Sequence, residues 1–312
     1  MTTTPAPFRF GVQTYAAGSA AQWRDQALRA ADLGYTSAHL PDHLGGQFSP
    51  LPALTAVATA APGLRVGPMV LNCAVRHPVA LAKELATLDV LAEGRLDVGL
   101  GVGWQSTDFV RSGTPRLDPG ARVRRLMEFV AVLEALWEHG ELSHEGEFFQ
   151  FADAKCLPKP VQSRLPLFVG GGSPKVLGFA GRRAQTVGLD VPQPSGQFHP
   201  ATFLGAASRS AFLRRAEWAR VAAAEAGREI TLSMQIPSGL VRLDGGSTED
   251  IAEQWGVTSD VLADSPLSLL GDTDAVVEKL QKWRVESGVS FLVIPADAMT
   301  VAAPLVARLA GM

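Results

Sequence analysis

Short apolar runs alternate with amphipathic stretches along the first third of the chain. The runs are short enough for buried strands, and the stretches between them place apolar residues at helical spacing. The predicted strands are Phe8–Gln13, Ser37–Leu40, Leu64–Leu71 and Leu96–Leu100, and the predicted helices are Ala20–Leu33, Leu51–Ala61 and Val79–Leu91. This alternation predicts βαβ units and a parallel sheet.

The alternation continues beyond a looser stretch that is rich in Pro and Gly. The later predicted elements are the helices Ala121–His139, Pro174–Arg183, Phe203–Ala226, Thr273–Glu286 and Val301–Leu309, and the strands Leu167–Val169, Thr186–Leu189, Glu229–Ile236 and Ser290–Ile294. A total of about eight strand–helix units predicts an α/β fold of the (β/α)8 TIM-barrel type. We expect one domain over residues 1–312, with a loose tail at 1–7, a hairpin-like insertion at 140–160 and a lid loop at 190–200.

Composition narrows the class of protein. Hydrophobic residues make up 46% of the chain, which is ample for a large core, and the net charge of -3 offers no basic surface for nucleic acid. No apolar run reaches the roughly 18 residues of a membrane helix, and the N-terminal MTTTPAPFRF has no signal-peptide core. Cys73 and Cys156 form neither a CxxC pair nor a zinc pattern. We expect a cytoplasmic protein that binds a small molecule and no metal.

Polar residues follow the predicted strands at the end where an α/β barrel binds its ligands. Asp42 and His43 come directly after the second strand, and Asn72 closes the third. His43 is a candidate general acid or base, although a polar loop pair is the alternative. A metal site at His39 and His43 is disfavoured, because Pro41 between them breaks any helix.

Three glycines alternate at the end of the fourth strand, just before Trp104. Gly99, Gly101 and Gly103 would let a flat ring approach the backbone, or would let the strand bend at a barrel corner. The third glycine comes too early for a dinucleotide-binding fingerprint. The spacing leaves both interpretations open.

A second glycine-rich segment joins a strand to a helix that begins at Pro174. It consists of Gly170, Gly171, Gly172 and Ser173. Backbone N–H groups at a helix N-terminus bind phosphate, so the segment is a candidate phosphate site. An ordinary turn with Ser173 as the helix cap is the alternative.

Taken in order, several short motifs resemble the bacterial luciferase-like flavin and deazaflavin oxidoreductases, and most closely the members that use coenzyme F420. The resemblance covers nearly the whole chain. The motifs are Phe10–Gln13, Pro41–His43, Arg76–Pro78, Ala86–Asp89, Glu93–Arg95, Gly99–Trp104, Pro158–Pro160, Gly170–Gly172 and Leu270–Asp272.

The resemblance implies a TIM barrel whose cofactor ring lies at the carboxyl ends of the strands. It also implies a non-prolyl cis peptide at Met69–Val70 behind the ring. The cofactor-binding residues it implies are Asp42, His43, Met69, Val70, Asn72, Gly101, Gly103, Gly170, Gly171, Gly172 and Ser173.

The same resemblance suggests how a reaction would proceed. His43 would exchange a proton, Asp42 would orient His43, and Trp104 would shape the substrate pocket. Gln13 would line the barrel floor and contact substrate. Either Arg182 or Arg183 could meet the acidic tail of the cofactor, although a plain surface position is the favoured alternative for both.

One departure from the family pattern bears on substrate. F420-linked sugar-phosphate dehydrogenases carry a glutamate where this chain has Trp104, which argues for a flatter or more apolar substrate. We therefore expect hydride transfer between reduced F420 and a small organic substrate, with reduction of a C=C or C=N bond. The alternatives are a reduced-FMN monooxygenase, a non-catalytic cofactor-binding protein and a cofactor-free lyase. The family further suggests a homodimer.

Overall fold

Parallel strands form a barrel in the computed structural model, which describes residues 6–312. The barrel strands are β1 (Arg9–Gln13), β2 (Ser37–Leu40), β3 (Arg65–Pro68), β4 (Leu71–Asn72), β5 (Val98–Gly101), β8 (Leu167–Gly171), β9 (Thr186–Leu189), β10 (Thr231–Gln235) and β13 (Val289–Pro295). Their hydrogen-bonded order is β3-β2-β1-β13-β10-β9-β8-β5-β4.

The strands β3 and β4 are two halves of the third barrel strand. A cis peptide bond between Met69 and Val70 separates them, so the single strand predicted at Leu64–Leu71 is wrong at these two residues. Pairing of β4 with β5 and a bridge between Val66 and Leu96 close the ring. The result is the (β/α)8 barrel that the sequence predicts.

Helices follow the strands and cover the outside of the barrel. They are α1 (Ala20–Asp32), α2 (Pro50–Ala60), α3 (Pro78–Leu91), α4 (Ser106–Ser112), α5 (Pro119–His139), α6 (Pro174–Arg183), α7 (Pro200–Gly205), α8 (Arg209–Glu225), α9 (Glu249–Trp255), α10 (Ser259–Asp264), α11 (Thr273–Ser287) and α12 (Ala303–Leu309). The single helix predicted at Phe203–Ala226 is two helices, because Ser208 caps a new helix by accepting from the amide of Ala211. None of the helices within residues 6–312 is long and apolar enough to cross a membrane.

The insertions lie between barrel units. The stretch 140–160, predicted to be a hairpin-like insertion, contains the antiparallel pair β6 (Glu141–Glu145) and β7 (Gln150–Lys155). The sequence did not predict α4, α9, α10 or the small sheet of β11 (Val241–Arg242) and β12 (Leu269–Leu270). Residues 1–5 of the expected tail lie outside the described residues.

A small apolar cluster is separate from the large core that the helices and strands share. Met69, Phe168, Phe291 and Val293 form it, with Val70 packed against them. Phe291 and Val293 alternate along β13 and therefore share one face of that strand. This cluster fills the barrel interior beneath the carboxyl ends of the strands, and so supports the candidate site.

Candidate active site

His43 is held by a buried carboxylate. Its Nδ1 atom lies 2.7 Å from Oδ2 of Asp108, whose side chain is 1% exposed. The other oxygen of Asp108 accepts a hydrogen bond from the amide of Leu44 at 2.9 Å. Because a carboxylate only accepts, this pair places the proton of the neutral imidazole on Nδ1 and leaves Nε2 for chemistry.

The sequence pattern does not identify Asp108, and the role that it predicts for Asp42 is wrong. Asp108 lies on α4, 65 positions from His43, in a stretch predicted to be irregular. The one available signal was an acidic residue shortly after Trp104 at a strand's carboxyl end. Asp42 does not hold His43, because both of its carboxylate oxygens accept hydrogen bonds from another side chain.

That partner of Asp42 is Arg76. The guanidinium donates from Nε to Oδ2 at 2.7 Å and from Nη2 to Oδ1 at 2.8 Å. Asp42 is 5% exposed at its side chain, and it also accepts from the amide of Asn72 at 2.9 Å. A bidentate arginine–carboxylate ion pair of this kind is both strong and directional. Asp42 therefore fixes the end of β4 and positions Asn72.

The cis peptide expected at Met69–Val70 is confirmed. The three alternating glycines pack against the strand that contains it. A Cβ on Gly99 would lie under 3.0 Å from the Pro68 carbonyl oxygen, and one on Gly101 would lie 2.5 Å from Cγ2 of Val70. Close approach of two strands therefore explains this pattern, rather than a ring or a corner alone.

Gly103 and Trp104 continue from this strand into the mouth of the barrel. Gly103 has a φ of 72°, and a Cβ there would collide with the side-chain amide of Asn72. The half-buried Trp104 meets the ring of His43 edge-on, with ring centroids 5.6 Å apart and planes at 83°. The indole and the imidazole thus lie side by side, as expected for a pocket wall beside a reacting group.

The Gly170–Ser173 loop precedes α6. Ser173 is its N-cap and accepts from the amide of Val176 at 3.4 Å, so its hydroxyl is engaged by the helix. A Cβ on Gly172 would lie 2.5 Å from the Asp190 carbonyl oxygen, which accounts for one glycine by packing. The first amides of the ten-residue helix still face the mouth side, so the loop remains a predicted phosphate site.

Arg182 and Arg183 lie at the surface, as the favoured alternative predicts. Both lie in the last turn of α6, at the far end from Ser173. A helix of ten residues is about 15 Å long, and after a parallel strand it runs away from the strand's carboxyl end. Arg183 instead pairs with Glu134 of α5.

Gln13 lies at the carboxyl end of β1, and not at the barrel floor as expected. It is 2% exposed and accepts hydrogen bonds from Gln235 and, at 3.2 Å, from the hydroxyl of Tyr15. Its own amide donates to the Met69 carbonyl at 3.4 Å. Gln13 therefore links three strand ends, and Tyr15 is the more exposed group here.

The loop at 190–200 is fastened across the mouth. The amide of Ser106 donates to the Gly196 carbonyl at 2.9 Å, and its hydroxyl donates to the Ser195 carbonyl at 3.4 Å. Arg116 donates to the Ser106 hydroxyl at 3.1 Å. These contacts join the loop to the start of α4, the helix that carries Asp108. Lid movement by this loop remains a prediction.

Asp190 stands at the start of that loop, directly after β9. Its side chain is exposed, and the protein atoms packed around it reduce its solvation. This desolvation raises the pKa of Asp190 from 3.8 to about 6, against the opposing attraction of Arg215.

We expect Asp190→Asn to stabilise the protein at pH 8 and to leave it unchanged at pH 4. Folding raises the pKa of Asp190, so the folded state binds more protons than the unfolded chain between pH 3.8 and about 6. Wild-type stability relative to the variant therefore falls through this window and stays lower above it. Denaturant midpoints measured from pH 4 to 8 check this, and a difference that does not vary with pH would contradict it.

The residues at the mouth fit a flat ring with an anionic tail. Val70 is half-buried and faces the inner side of Gly170 at the rim, and Gly101 presents no side chain beside it. His43 and Trp104 border the same opening, and α6 turns its N-terminus toward it. A flavin or deazaflavin has this shape and charge.

Known proteins share this architecture. A coenzyme F420-dependent tetrahydromethanopterin reductase from Methanopyrus kandleri superposes with a TM-score of 0.73, over 98% of this chain and 99% of that chain, at 21% identity. An F420-dependent glucose-6-phosphate dehydrogenase from Nakamurella multipartita is 31% identical over 190 residues, or 58% of this chain and 56% of that protein. An FMNH(2)-dependent dimethylsulfone monooxygenase from Pseudomonas putida is 37% identical over 106 residues, or 34% of this chain and 29% of that protein.

The structural similarity and the sequence similarity support different conclusions. The structural likeness, at low identity, establishes the TIM-barrel fold. The chain spans about half the length of the curated relatives it matches in sequence, and those relatives use two different cofactors. The model of the luciferase-like monooxygenase family matches residues 3–237. The chain therefore belongs to the luciferase-like monooxygenase family.

Proposed function

We propose that this protein is an F420-dependent oxidoreductase that transfers a hydride between the reduced deazaflavin and a small organic substrate, reducing a C=C or C=N bond. The observation that carries the proposal is the imidazole of His43, held at 2.7 Å by buried Asp108 beside an open mouth. The relatives named F420-dependent match over half of this chain, whereas the FMNH(2)-dependent one matches a third, which supports the deazaflavin.

Different residues of the chain have separate roles in the proposed reaction. When bound, the cofactor supplies the hydride. His43 exchanges the accompanying proton at Nε2, because Nδ1 is engaged by Asp108. Asp108 is a positioning residue that keeps the imidazole in one tautomer, as the carboxylate does in a catalytic triad. Asn72, placed by Asp42, would contact the cofactor from the third barrel strand.

The remaining predicted contacts are to the ring and to the phosphate of the cofactor. Val70 and Met69 would support the ring from behind, with Gly101 and Gly103 leaving room at its edge. The Gly170–Ser173 loop would hold the phosphate through backbone N–H groups at the start of α6.

Trp104 shapes the proposed substrate side. Its edge-on contact with His43 puts an indole beside the imidazole, at the position where the family resemblance implies a glutamate in F420-linked sugar-phosphate dehydrogenases. An indole offers no anionic oxygen to a sugar hydroxyl, but it packs well on planar or apolar groups. We therefore propose a substrate that is not a sugar phosphate.

A reduced-FMN monooxygenase is the second candidate, favoured by the dimethylsulfone monooxygenase relative. We keep the non-catalytic cofactor-binding protein as a third candidate from another class. The cytoplasmic localisation expected from the composition and the homodimeric state suggested by the family resemblance also remain part of this proposal.

Anaerobic turnover separates these candidates. We expect reduced F420 to be reoxidised by activated alkenes or imines without oxygen, because hydride transfer needs no other oxidant. The measurement is the return of the oxidised deazaflavin absorbance. Turnover only with reduced FMN and oxygen would contradict the proposal, and binding of F420 with no substrate-dependent oxidation would favour the non-catalytic candidate.

A further inference from the structure

Asp190 is an acidic group at the mouth that the proposed roles leave unused. Its Oδ2 atom lies 2.9 Å from the place where a Cβ on Gly170 would sit, and that place is 3.6 Å from atoms of both Val70 and Phe168. Val70 and Phe168 belong to the cluster that fills the barrel interior. The carboxyl of Asp190 therefore extends over the inner side of the barrel, next to the Met69–Val70 peptide.

This carboxyl has no hydrogen-bond donor within residues 6–312. The charge that acts on the Asp190 carboxyl is that of Arg215 on α8. Arg215 is 6% exposed and donates a hydrogen bond to the Ala206 carbonyl. A carboxylate without a donor from the protein can form a charge-assisted hydrogen bond to a cation that arrives with a ligand. The Asp190 carboxylate is therefore available at the mouth as a hydrogen-bond acceptor for a ligand.

Asp190 and His43 face the opening from opposite sides. Going round the barrel, β2, β1, β13, β10 and β9 follow one another, so the strands that end at His43 and Asp190 lie four places apart in a ring of eight. A group bound in the mouth between them meets an imidazole on one side and a lone carboxylate on the other. Trp104 adds an aromatic face, which also favours cations.

We infer that Asp190 binds a positively charged nitrogen of the substrate, so that the preferred substrates are organic cations such as protonated amines or iminium ions. The inference rests on the proposed function, because it assumes that a substrate occupies this mouth. It also fits a C=N bond better than a C=C bond, since a carboxylate stabilises the charged form of an imine.

The competing role for Asp190 is a contact to the cofactor. The two roles differ in what an amide at this position changes. A substrate contact leaves the cofactor Kd unchanged in Asp190→Asn, whereas a cofactor contact weakens it. Fluorescence titration of the variant with F420 and with FMN measures this directly, without any turnover.

Calorimetric titration with a matched pair of probes tests the inference. Benzylammonium and benzyl alcohol have nearly the same shape and differ in charge. We expect the wild type, near pH 7.5, to bind benzylammonium about tenfold more tightly than the alcohol, the ratio that one charge-assisted hydrogen bond is worth. Asp190→Asn should lose this preference, and Asp297→Asn, which removes another exposed carboxyl of the mouth, should keep it.

Acid should also remove the preference. Below pH 6 the Asp190 carboxyl becomes protonated, since its pKa is raised to about 6, while benzylammonium stays charged. Arg215 on α8 keeps its charge, and any contribution from His43 across the mouth is measured by the same pH series on Asp190→Asn, in which we expect no change.

The outcomes separate this inference from the proposed function. Equal or undetectable binding of the two probes by the wild type, or a preference that survives in Asp190→Asn, overturns the inference. A cation preference that depends on Asp190 in a protein that binds neither F420 nor FMN supports the inference for this mouth and overturns the proposed function. F420 turnover without cation preference does the reverse.

Discussion

Replacement of Asp108 by asparagine is expected to lower kcat by about 10²- to 10⁴-fold, with little change in cofactor affinity. The amide of Leu44 donates to one oxygen of Asp108, so the asparagine oxygen stays with Leu44. The asparagine NH₂ group then faces Nδ1 of His43 as a donor, and forces the imidazole into the opposite tautomer. Nε2 would carry the proton at all pH values where the ring is neutral.

Kinetics across pH show whether this positioning is the cause. We expect the pH dependence of kcat to change in Asp108→Asn, because His43 then presents a protonated Nε2 to the substrate wherever its ring is neutral. Asp260→Asn makes the same chemical change on exposed helix α10 and should behave as the wild type. A kcat and pH profile close to the wild type for Asp108→Asn would remove the His43–Asp108 pair from the mechanism.

Gly99→Ala is expected to lower the free energy of unfolding by about 3 kcal/mol or more. The new methyl group would lie under 3.0 Å from the Pro68 carbonyl oxygen and 3.4 Å from Val70. The first contact is with backbone inside the barrel sheet, which cannot rotate away as a side chain would. The barrel must therefore shift at the strand that ends beside the candidate site.

Gly63→Ala is the matched control for this measurement. A Cβ at Gly63 would meet nothing within 4 Å, and its φ lies outside the left-handed region. We expect this variant to stay within about 0.5 kcal/mol of the wild type. Denaturant unfolding curves of the two variants, recorded side by side, would contradict the packing account if the two midpoints coincide.

The barrel could be predicted from the sequence because its strands and helices each carry their own hydrophobic period. The bounds of α6 and β9 agree with the pattern to the residue. The third strand was predicted without its interruption, because the apolar run passes unbroken through Met69 and Val70. The interruption itself was expected only from the family resemblance, and it is present.

The site was less predictable, because its contacts join residues far apart in the chain. His43 was found from its place after a strand, but its partner Asp108 lies on a seven-residue helix that has too few turns for a clear period. Adjacency in the chain assigns Asp42 to His43, but the half-buried guanidinium of Arg76 binds Asp42 instead. The glycines at 99, 101 and 103 could be explained only once the neighbouring strand was known.

Equilibrium titration of the apoprotein with F420 and with FMN tests the central claim most directly. The claim is that the mouth bordered by His43, Trp104 and the Met69–Val70 peptide binds a deazaflavin. We predict that F420 quenches the protein's fluorescence saturably, and at a lower concentration than FMN does. Gly101→Ala should bind F420 more weakly, because its methyl group displaces Val70. Tight binding of FMN together with negligible binding of F420 would contradict the claim.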